Sequence, residues 1–328
     1  MGREGSLSES SWRWGQYYRL AWTFALTGQI ADAHRHLSWL ANHDLLAGGV
    51  LDVREADPHF PNCTSYPLSC IIMSASLLQR YDILRATVPE LLTWQDETSG
   101  GFVNNKDPLQ PGFGDQVLFP TAQGGMTLVQ LGLLDPARRV GVWFENLWNA
   151  QPNPDKELYH VWRQEGGLQT VCEPGMEVTM VTKKHSAWEW HFDGGIAAAF
   201  LAKLFMATGE NRWLNLAEKY QEFSMTSGDE MFHSWQTCKS GWGAGMLFIA
   251  TGERKFLEWT LRMADWFVGR QHADGCWAAD FVPDPPGCPY TDEQRNESWT
   301  IHIVAEVAMH MANIVAALST EGGASSRL

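Results

Sequence analysis

The stretch KKHSAWEWHFDGG, Lys183 to Gly195, concentrates side chains that can move protons. Its candidate residues are His185, Trp188, Glu189, Trp190, His191 and Asp193. Imidazoles and carboxyl groups that crowd together beside aromatic rings acquire shifted pKa values, which suit acid–base catalysis. We expect Asp193 to be the principal acid or base, with Glu189 and His191 as further catalytic candidates. The alternative is that Asp193 only caps the apolar helix that follows it.

The same stretch supplies candidates for substrate binding. His185, Trp188 and Trp190 are expected to contact the substrate, because aromatic walls suit sugars, cations and polycyclic molecules. Tryptophan occurs 17 times in the chain, more often than phenylalanine or tyrosine, and many of these residues stand at segment boundaries. This pattern favours an aromatic-lined cavity, although ordinary packing would also account for it.

A second group of candidates lies in FHSWQTCKSGWGAG, at the start of another apolar helix. His233 is a catalytic candidate, and Trp235, Lys239 and Trp242 could reach the substrate. The glycines at 241, 243 and 245 indicate that something approaches this backbone closely. Tight packing against a neighbouring helix explains those glycines equally well.

A third group belongs to ESWTIHIVAEVAMH, in which His302, Glu306 and His310 follow at intervals of four and therefore share one helix face. We expect a hydrogen-bonded pair of His302 and Glu306 to line the cavity, with Trp299 near its rim. A metal site is not expected, because the three residues span too many turns and lack supporting ligands.

Weaker candidates stand before other helices. Tyr66 and Asp115 are expected to contact the substrate, although a cap or a turn is the competing role for each. Tyr17 and Tyr18 are adjacent on a helix, so both cannot face the same cavity. His160 belongs to the segment 150–184, which could fold over the cavity as a lid.

Composition limits the class of protein. The 328 residues are 45% hydrophobic and carry a net charge of −14, which argues against nucleic acid and anionic membranes as partners. No apolar run predicts a membrane span and no apolar signal core is seen, so a cytoplasmic protein is expected. The six cysteines have irregular spacing and are expected to be reduced, mostly buried and without zinc.

An internal repeat organises the chain. ATGENRW and ATGERKF match each other, with Gly209 and Gly252 expected to end one helix and the next glutamate to fall in the first turn of another. Glycines recur at 48, 100, 166, 228 and 275, which predicts a repeat of two helices and a loop. A last helix at about 297–318 has no clear partner. One domain of about eleven helices is expected over 1–328, with flexible ends at 1–11 and 319–328.

The turn QHADGCW closes one of these repeats. We expect Gln271 to hydrogen-bond the exposed helix end and Trp277 to pack behind the turn. The spacing of Gln271, Gly275 and Trp277 is similar to the QW motif of terpenoid cyclases, and the loop 95–102 resembles loops of the protein prenyltransferases. The whole chain resembles the α/α-toroid superfamily, which includes six-hairpin glycosidases, epimerases and lyases.

This resemblance implies an all-α fold, an (α/α) toroid or barrel of five to six helical hairpins, with inner helices around a central cavity. The chain has no counterpart of the cyclase DxDD acid, of the prenyltransferase zinc ligands or of a glycosidase motif, so the resemblance does not name a reaction. Structural motifs of this kind indicate a fold more strongly than a function.

The function expected from these features is acid–base catalysis without a cofactor, by a monomer or homodimer acting on a small molecule. The main expectation is a cyclase, isomerase or dehydratase for a largely apolar metabolite such as a terpenoid or polyketide. The first alternative is a carbohydrate-active enzyme, a glycosidase, lyase or epimerase on the same fold. The second is a helical scaffold without catalysis.

Overall fold

The computed structural model describes most of the chain between residues 17 and 319. The described residues are 17–43, 45, 47–51, 64–108, 112–172, 177–187, 189–232, 234–277 and 292–319, with side chains in the last range from 301 onward.

Twelve α-helices lie in the described residues, eleven of them long. The helices of an inner layer are α1 Leu20–Leu26, α3 Ser65–Leu77, α5 Leu118–Gln130, α8 Asp193–Thr208, α10 Cys238–Thr251 and α12 Asp292–Leu318. Those of an outer layer are α2 Ile30–His43, α4 Tyr81–Thr93, α6 Leu134–Asn149, α9 Asn211–Met225 and α11 Arg254–Val268. The short α7, Glu177–Met180, lies between the third and fourth hairpins.

The two layers differ in the distribution of apolar residues. Helices α3, α8 and α10 bury residues on every face along most of their length. Helix α11 instead buries one stripe, which includes Phe256, Trp259, Met263 and Phe267. A helix that is apolar all round must lie inside, whereas a one-sided helix covers it and presents its polar face to water.

The inner helices form a closed ring. Contacts join α1 to α3, α3 to α5, α5 to α8, α8 to α10, α10 to α12, and α12 back to α1. Five hairpins and the single helix α12 therefore complete an α/α toroid in the described part of the chain. The ring closes here without requiring an outer partner for α12, because α12 packs directly between its two inner neighbours.

The segment 150–184 contains short antiparallel strands. These are β2 Glu157–Tyr159, β3 Val161–Arg163, β4 Gly167–Leu168 and β5 Val181–Lys183, with β1 Gln116–Val117 preceding α5. Strand β3 lies between β1 and β4, and β2 pairs with β5. Val161 is opposite Val117, and Leu158 is opposite Thr182. The segment is thus attached to the N-terminal end of α5.

Glycine turns mark the repeat as predicted. Gly209 and Gly252 end α8 and α10 in the left-handed region, with φ of 71° and 72°. The glycines at 48, 100, 166, 228 and 275 all have positive φ. The prediction for the following glutamates is wrong: Glu210 and Glu253 have extended backbones and occupy the N-cap position, before the first helical turn.

The hydrogen bonds of the turn QHADGCW differ from those predicted. The Gln271 amide donates to the Gly275 carbonyl at 3.0 Å, within the loop, and does not reach the helix end. Instead, the Trp277 indole N–H donates to the carbonyl of Phe267 at 2.8 Å. Gln95 likewise donates to the Gly100 carbonyl at 3.0 Å. The glutamine fixes the loop, and the buried tryptophan gives the Phe267 carbonyl a second donor beside the Arg270 N–H.

The last helix is longer and more apolar than predicted. It begins at Asp292, before the expected 297, and its part Ile301–Leu318 has a mean hydropathy of 1.6. By length and composition this stretch could cross a membrane, although no uninterrupted apolar run occurs. Half of it is buried inside the protein, where it forms one side of the inner ring.

Candidate active site

Residues from all six inner helices, or from the positions just before them, meet at the centre of the ring. We call them the inner-ring cluster: Tyr18, Arg19, Tyr66, Phe119, Phe192, Lys239, His302 and Glu306. They come from α1, α3, α5, α8, α10 and α12 or from the residues just before them. Each is nearly or fully buried.

Glu306 is the centre of this cluster. Its carboxylate is fully buried, with Arg19 Nη1 3.0 Å from Oε2 and Lys239 Nζ in contact with Oε1. Burial by itself would raise the pKa of Glu306, but the charges of Arg19 and Lys239 hold it well below its usual range. The group is therefore an ionised carboxylate shared by two cations, which leaves an excess positive charge.

Arg19 also connects Glu306 to two further side chains. Its guanidinium donates to His302 Nε2 at 3.1 Å and to the Tyr66 hydroxyl at 3.2 Å. His302 Nε2 is 3.7 Å from Glu306 Oε2, beyond hydrogen-bond distance. The predicted hydrogen-bonded pair of His302 and Glu306 is thus wrong: they share a face, but both interact with Arg19.

Aromatic rings surround the charged groups. The Tyr66 ring meets Tyr18 at 5.9 Å and Phe119 at 5.2 Å, and Phe119 meets Phe192 at 5.9 Å. These pairs are edge-to-face. Arg19 lies 4.5 Å from the centre of the Tyr18 ring, and Lys239 lies 4.6 Å from that of Phe192. Such cation–π contacts partly replace the water that the buried cations lose.

His302 lies at the edge of the charged centre. Its ring meets those of Tyr18 and Trp235, both at 6.4 Å and edge-to-face. Its side chain is 8% exposed, whereas Glu306 is not exposed at all. Among the titratable groups of the cluster, the imidazole of His302 is therefore better placed than Glu306 to exchange a proton with a bound molecule.

A second layer lies deeper in the ring. His310 packs against Trp242 with ring centres 4.9 Å apart, and Trp242 meets Trp22 at 6.4 Å. Burial and the nearby Lys239 charge hold the pKa of His310 well below its usual value, so the imidazole is neutral. Trp242 thus lies inside the ring, but below the inner-ring cluster.

Cys238, Glu306 and His310 also present possible metal-binding atoms within 4.8 Å of one another. Glu306 is already in contact with two cations, and burial raises the pKa of the Cys238 thiol far above its ordinary value. A thiol binds metal as thiolate. These residues therefore fit a metal ion poorly. Cys70 is also buried, Cys172 and Cys276 are partly exposed, and all four described cysteines are free.

Asp193 is the first residue of α8 and does not cap it. Its carboxyl is fully buried and lies 3.3 Å from Nδ1 of the equally buried His160. Nε2 of His160 is 2.8 Å from the Thr182 hydroxyl. Burial raises the pKa of Asp193 well above its ordinary value and lowers that of His160 to about 3. His160 is therefore neutral near pH 7, burial disfavours the ionised form of Asp193, and the two side chains join α8 to the segment 150–184.

The three polar or aromatic candidates just before Asp193 lie in different surroundings. Trp190 is half-buried and stacks on His160, with ring centres 5.9 Å apart and planes 5° apart, and its edge meets Phe119. Glu189 is half-buried, and burial raises its pKa. His191 is buried on the side of α9, where its backbone carbonyl accepts a hydrogen bond from Ser224.

Other candidates lie away from the cluster or outside the described residues. His185 is exposed near Gly228, and Asp115 forms an ion pair with Arg163 that attaches β3 to the loop before β1. Both residues therefore lie outside the inner-ring cluster, and their contact with the substrate stays a prediction. Trp188, His233 and the side chain of Trp299 lie outside the described residues. Tyr17 and Tyr18 diverge as predicted: Tyr17 contacts Trp39 of α2, and Tyr18 faces the ring centre.

Sequence reasoning missed Arg19, Phe119 and Phe192. Arg19 had a detectable signal, since it is the one charged residue in the apolar stretch YYRLAWTFAL. A charge in a helix that is otherwise apolar must be paired inside the protein or lie at its end. The two phenylalanines had no such signal, because their type and spacing are those of ordinary core residues.

Comparisons with known proteins support the fold. No protein-family model and no curated protein matches the chain. The structure is similar to that of a D-mannose isomerase, with a TM-score of 0.63 and 13% identity over 92% of this chain and 87% of that one. A family 76 α-mannanase from Bacteroides thetaiotaomicron gives a TM-score of 0.59 and 14% identity over 94% and 88%.

A cellobiose 2-epimerase from Bacillus thermoamylovorans is similar at the same level, with a TM-score of 0.59 and 12% identity over 90% of this chain and 86% of that one. At such low identity the similarity establishes the fold alone. The α/α toroid predicted from the repeated loops is confirmed.

Proposed function

We propose that this protein is an enzyme that isomerises or epimerises a sugar by moving a proton next to a carbonyl group. The proposal rests on one observation. Arg19, Lys239 and His302 meet around the buried carboxylate of Glu306, and aromatic side chains surround them. The named activities of two structural neighbours, a mannose isomerase and a cellobiose epimerase, are consistent with it.

The proposed reaction assigns a role to each group. His302 takes the proton from C2 of the open-chain sugar on the ring nitrogen that Arg19 releases when its guanidinium turns to the carbonyl oxygen, and the electron pair of the C2–H bond moves to that oxygen. The resulting enediolate is stabilised by the excess positive charge of Arg19 and Lys239. Return of the proton to C1, together with transfer of the O2 hydroxyl proton to O1, gives the isomer. Return to C2 after rotation about the C2–C3 bond has turned its opposite face toward His302 gives the epimer. Tyr66 donates a hydrogen bond to a hydroxyl or carbonyl oxygen.

The charge of the cluster argues against the expected terpenoid or polyketide substrate. An apolar ligand at the ring centre would offer no hydrogen-bond partner to the excess positive charge of Arg19 and Lys239, which are already buried. A sugar offers hydroxyl groups to the same cations and flat C–H faces to the aromatic rings. The carbohydrate alternative therefore explains more of the site than the main expectation does.

Hydrolysis of a glycosidic bond is supported less well. It calls for two accessible carboxyl groups on opposite sides of the bond. In the described part of the ring, Asp193 is fully buried behind Trp190, and Glu306 is bridged by two cations. Glu189, a half-buried carboxyl whose pKa burial raises, would therefore lack a second accessible carboxyl in this described part of the ring.

Deuterium exchange tests the proposal directly. The purified protein is incubated in D₂O with mannose, glucose, fructose and cellobiose, and NMR follows deuterium entering the carbon next to the carbonyl. The same samples are assayed for new reducing ends from α-1,6-mannobiose. Exchange together with a new isomer or epimer supports the proposal. New reducing ends without exchange would replace it with glycoside hydrolysis.

Variants locate the activity. His302→Gln keeps an acceptor for Arg19 but cannot relay a proton, so turnover is expected to fall by about a hundredfold or more. His34→Gln is the matched control, since His34 lies partly exposed on the outer helix α2. Equal activity of the two variants would remove His302 from the mechanism.

A further inference from the structure

A groove in the outer layer, away from the inner-ring cluster, has the composition of a binding site. It has a volume of about 600 Å³ and lies against α6 and α9. Its aromatic residues are Trp148 and Phe223, and among its polar residues are Asp155, Lys184, Lys219 and Glu222. A groove of this size is large enough for a disaccharide or a longer segment of oligosaccharide.

Trp148 is held in a fixed position. Its ring packs edge-to-face against Tyr220 at 4.8 Å, and the Tyr220 hydroxyl donates to the carbonyl of Phe144 at 3.0 Å. The tryptophan itself is half-buried, so one part of it lines the groove while another is fixed by the core. A rigid aromatic surface binds a ligand at little cost in conformational entropy.

Lys184 is the second unusual feature. The residue is 9% exposed and its ammonium lies 5.1 Å from the centre of the Phe223 ring. Within the described residues no carboxylate forms an ion pair with it. Burial lowers its pKa, and the more distant Asp155 and Glu222 oppose that effect. The ammonium thus lines the groove with unused donor capacity.

The balance of charges selects the class of ligand. Both lysines and carboxylates line the groove, so an anion would meet Asp155 and Glu222, and a cation would meet Lys184 and Lys219. A neutral polyol suits both signs, because each hydroxyl can donate to a carboxylate and accept from an ammonium. The C–H face of a sugar ring would pack on Trp148.

We propose that this outer groove is a second carbohydrate-binding site, which holds a neutral oligosaccharide by stacking on Trp148 and hydrogen bonding to Lys184. The ligand class follows from the groove itself and agrees with the proposed function of the ring. The two sites lie on different layers of the toroid, so occupancy of the groove does not require catalysis.

Isothermal titration tests this site with cellotetraose and α-1,6-mannotetraose as probes. Trp148→Ala is expected to weaken binding of the preferred probe by about tenfold, and Lys184→Met, which keeps the packing on Phe223, by about threefold or more. Trp94→Ala is the matched control, since Trp94 is a half-buried outer-layer tryptophan with Lys106 against its ring at 4.1 Å. It is expected to bind as the wild type does.

The sugar-exchange assay is run on the same variants to separate the two proposals. Binding that depends on Trp148, without any turnover, would support the groove and overturn the function proposed for the ring. Turnover without Trp148-dependent binding would support the function proposed for the ring and overturn the groove site. If Trp148→Ala unfolds, Trp148→Phe and Lys184→Met decide: wild-type affinity in both would overturn the groove site.

Discussion

Arg19 and Glu306 form a buried ion pair, with 3.0 Å between Nη1 and Oε2, that joins the first described helix region to the last. The two residues are far apart in the chain and meet because the inner helices form a closed ring. The pair depends on Lys239 as well, since one carboxylate serves both cations.

Removing the carboxylate charge is expected to destabilise the protein strongly. In Glu306→Gln, Arg19 and Lys239 would stay buried without an anion, which typically costs about 3–5 kcal/mol. Urea unfolding followed by circular dichroism measures the change. Glu258→Gln, which removes a surface pair with Arg254, is the control and is expected to leave stability unchanged. A loss below about 1 kcal/mol in Glu306→Gln would contradict the ionised cluster.

The buried His160 predicts a dependence of stability on pH. In the folded protein it stays neutral down to its pKa of about 3, whereas an unfolded histidine binds a proton near pH 6.5. Between these values the unfolded state binds more protons, so falling pH lowers the free energy of unfolding by up to about 1.4 kcal/mol per unit. His160→Gln lacks this loss, and its stability deficit is expected to narrow from pH 6.5 toward pH 4.

Thr182→Val separates this effect from the hydrogen bond. It removes the partner of His160 Nε2 and keeps the imidazole, so its unfolding free energy should follow the wild-type slope with pH. Urea unfolding at four pH values between 4 and 7.5 compares the three proteins. Parallel profiles for the wild type and His160→Gln would show that His160 is accessible to protons in the folded state.

Gln271 and Trp277, in the loop after α11, are expected to contribute unequally to the stability of the protein. Trp277→Phe removes one of the two N–H groups that donate to the Phe267 carbonyl, leaves the other from Arg270, and is expected to cost about 1 kcal/mol. Gln271→Ala removes an exposed hydrogen bond and is expected to have a much smaller effect. Thermal unfolding measures both. A larger shift for Gln271→Ala would restore the original prediction that the glutamine satisfies the helix end.

The close approach of α8 and α10 gives a further prediction. A methyl group at Gly195 would overlap the backbone of Lys239 and Ser240, so Gly195→Ala is expected to cost about 2–4 kcal/mol. Gly209→Ala is the control: its φ of 71° is unfavourable for alanine, but nothing lies near the added methyl group, and about 1 kcal/mol is expected. Chemical unfolding that ranks Gly209→Ala as the worse variant would contradict this packing.

The sequence predicted the fold better than the site. The repeated Thr-Gly-Glu turns identify helix ends because a left-handed residue such as Gly209 is a local requirement. Burial depends on the whole fold and not on the local sequence, and it decides the roles of Asp193 and His185. Both belong to the same polar stretch, yet one is fully buried beside His160 and the other is exposed.

The inner-ring cluster shows the same limit of prediction from sequence. His302 and Glu306 were identified because their spacing places them on one helix face, which is a property of a single helix. Their partner Arg19 comes from the other end of the chain. Glu306 contacts Arg19 more closely than His302 because the ring closes between the first and last inner helices. The spacing of residues within one helix cannot predict that contact.

Closure of the ring by α12 has a consequence for biosynthesis. A ribosome makes α1 and α10 before α12, so during translation Arg19 and Lys239 exist without the carboxylate that they share. The catalytic centre proposed above can form only after the last described helix has left the ribosome. A chain that stalls before Glu306 would keep two uncompensated cations and an unfilled place between α10 and α1.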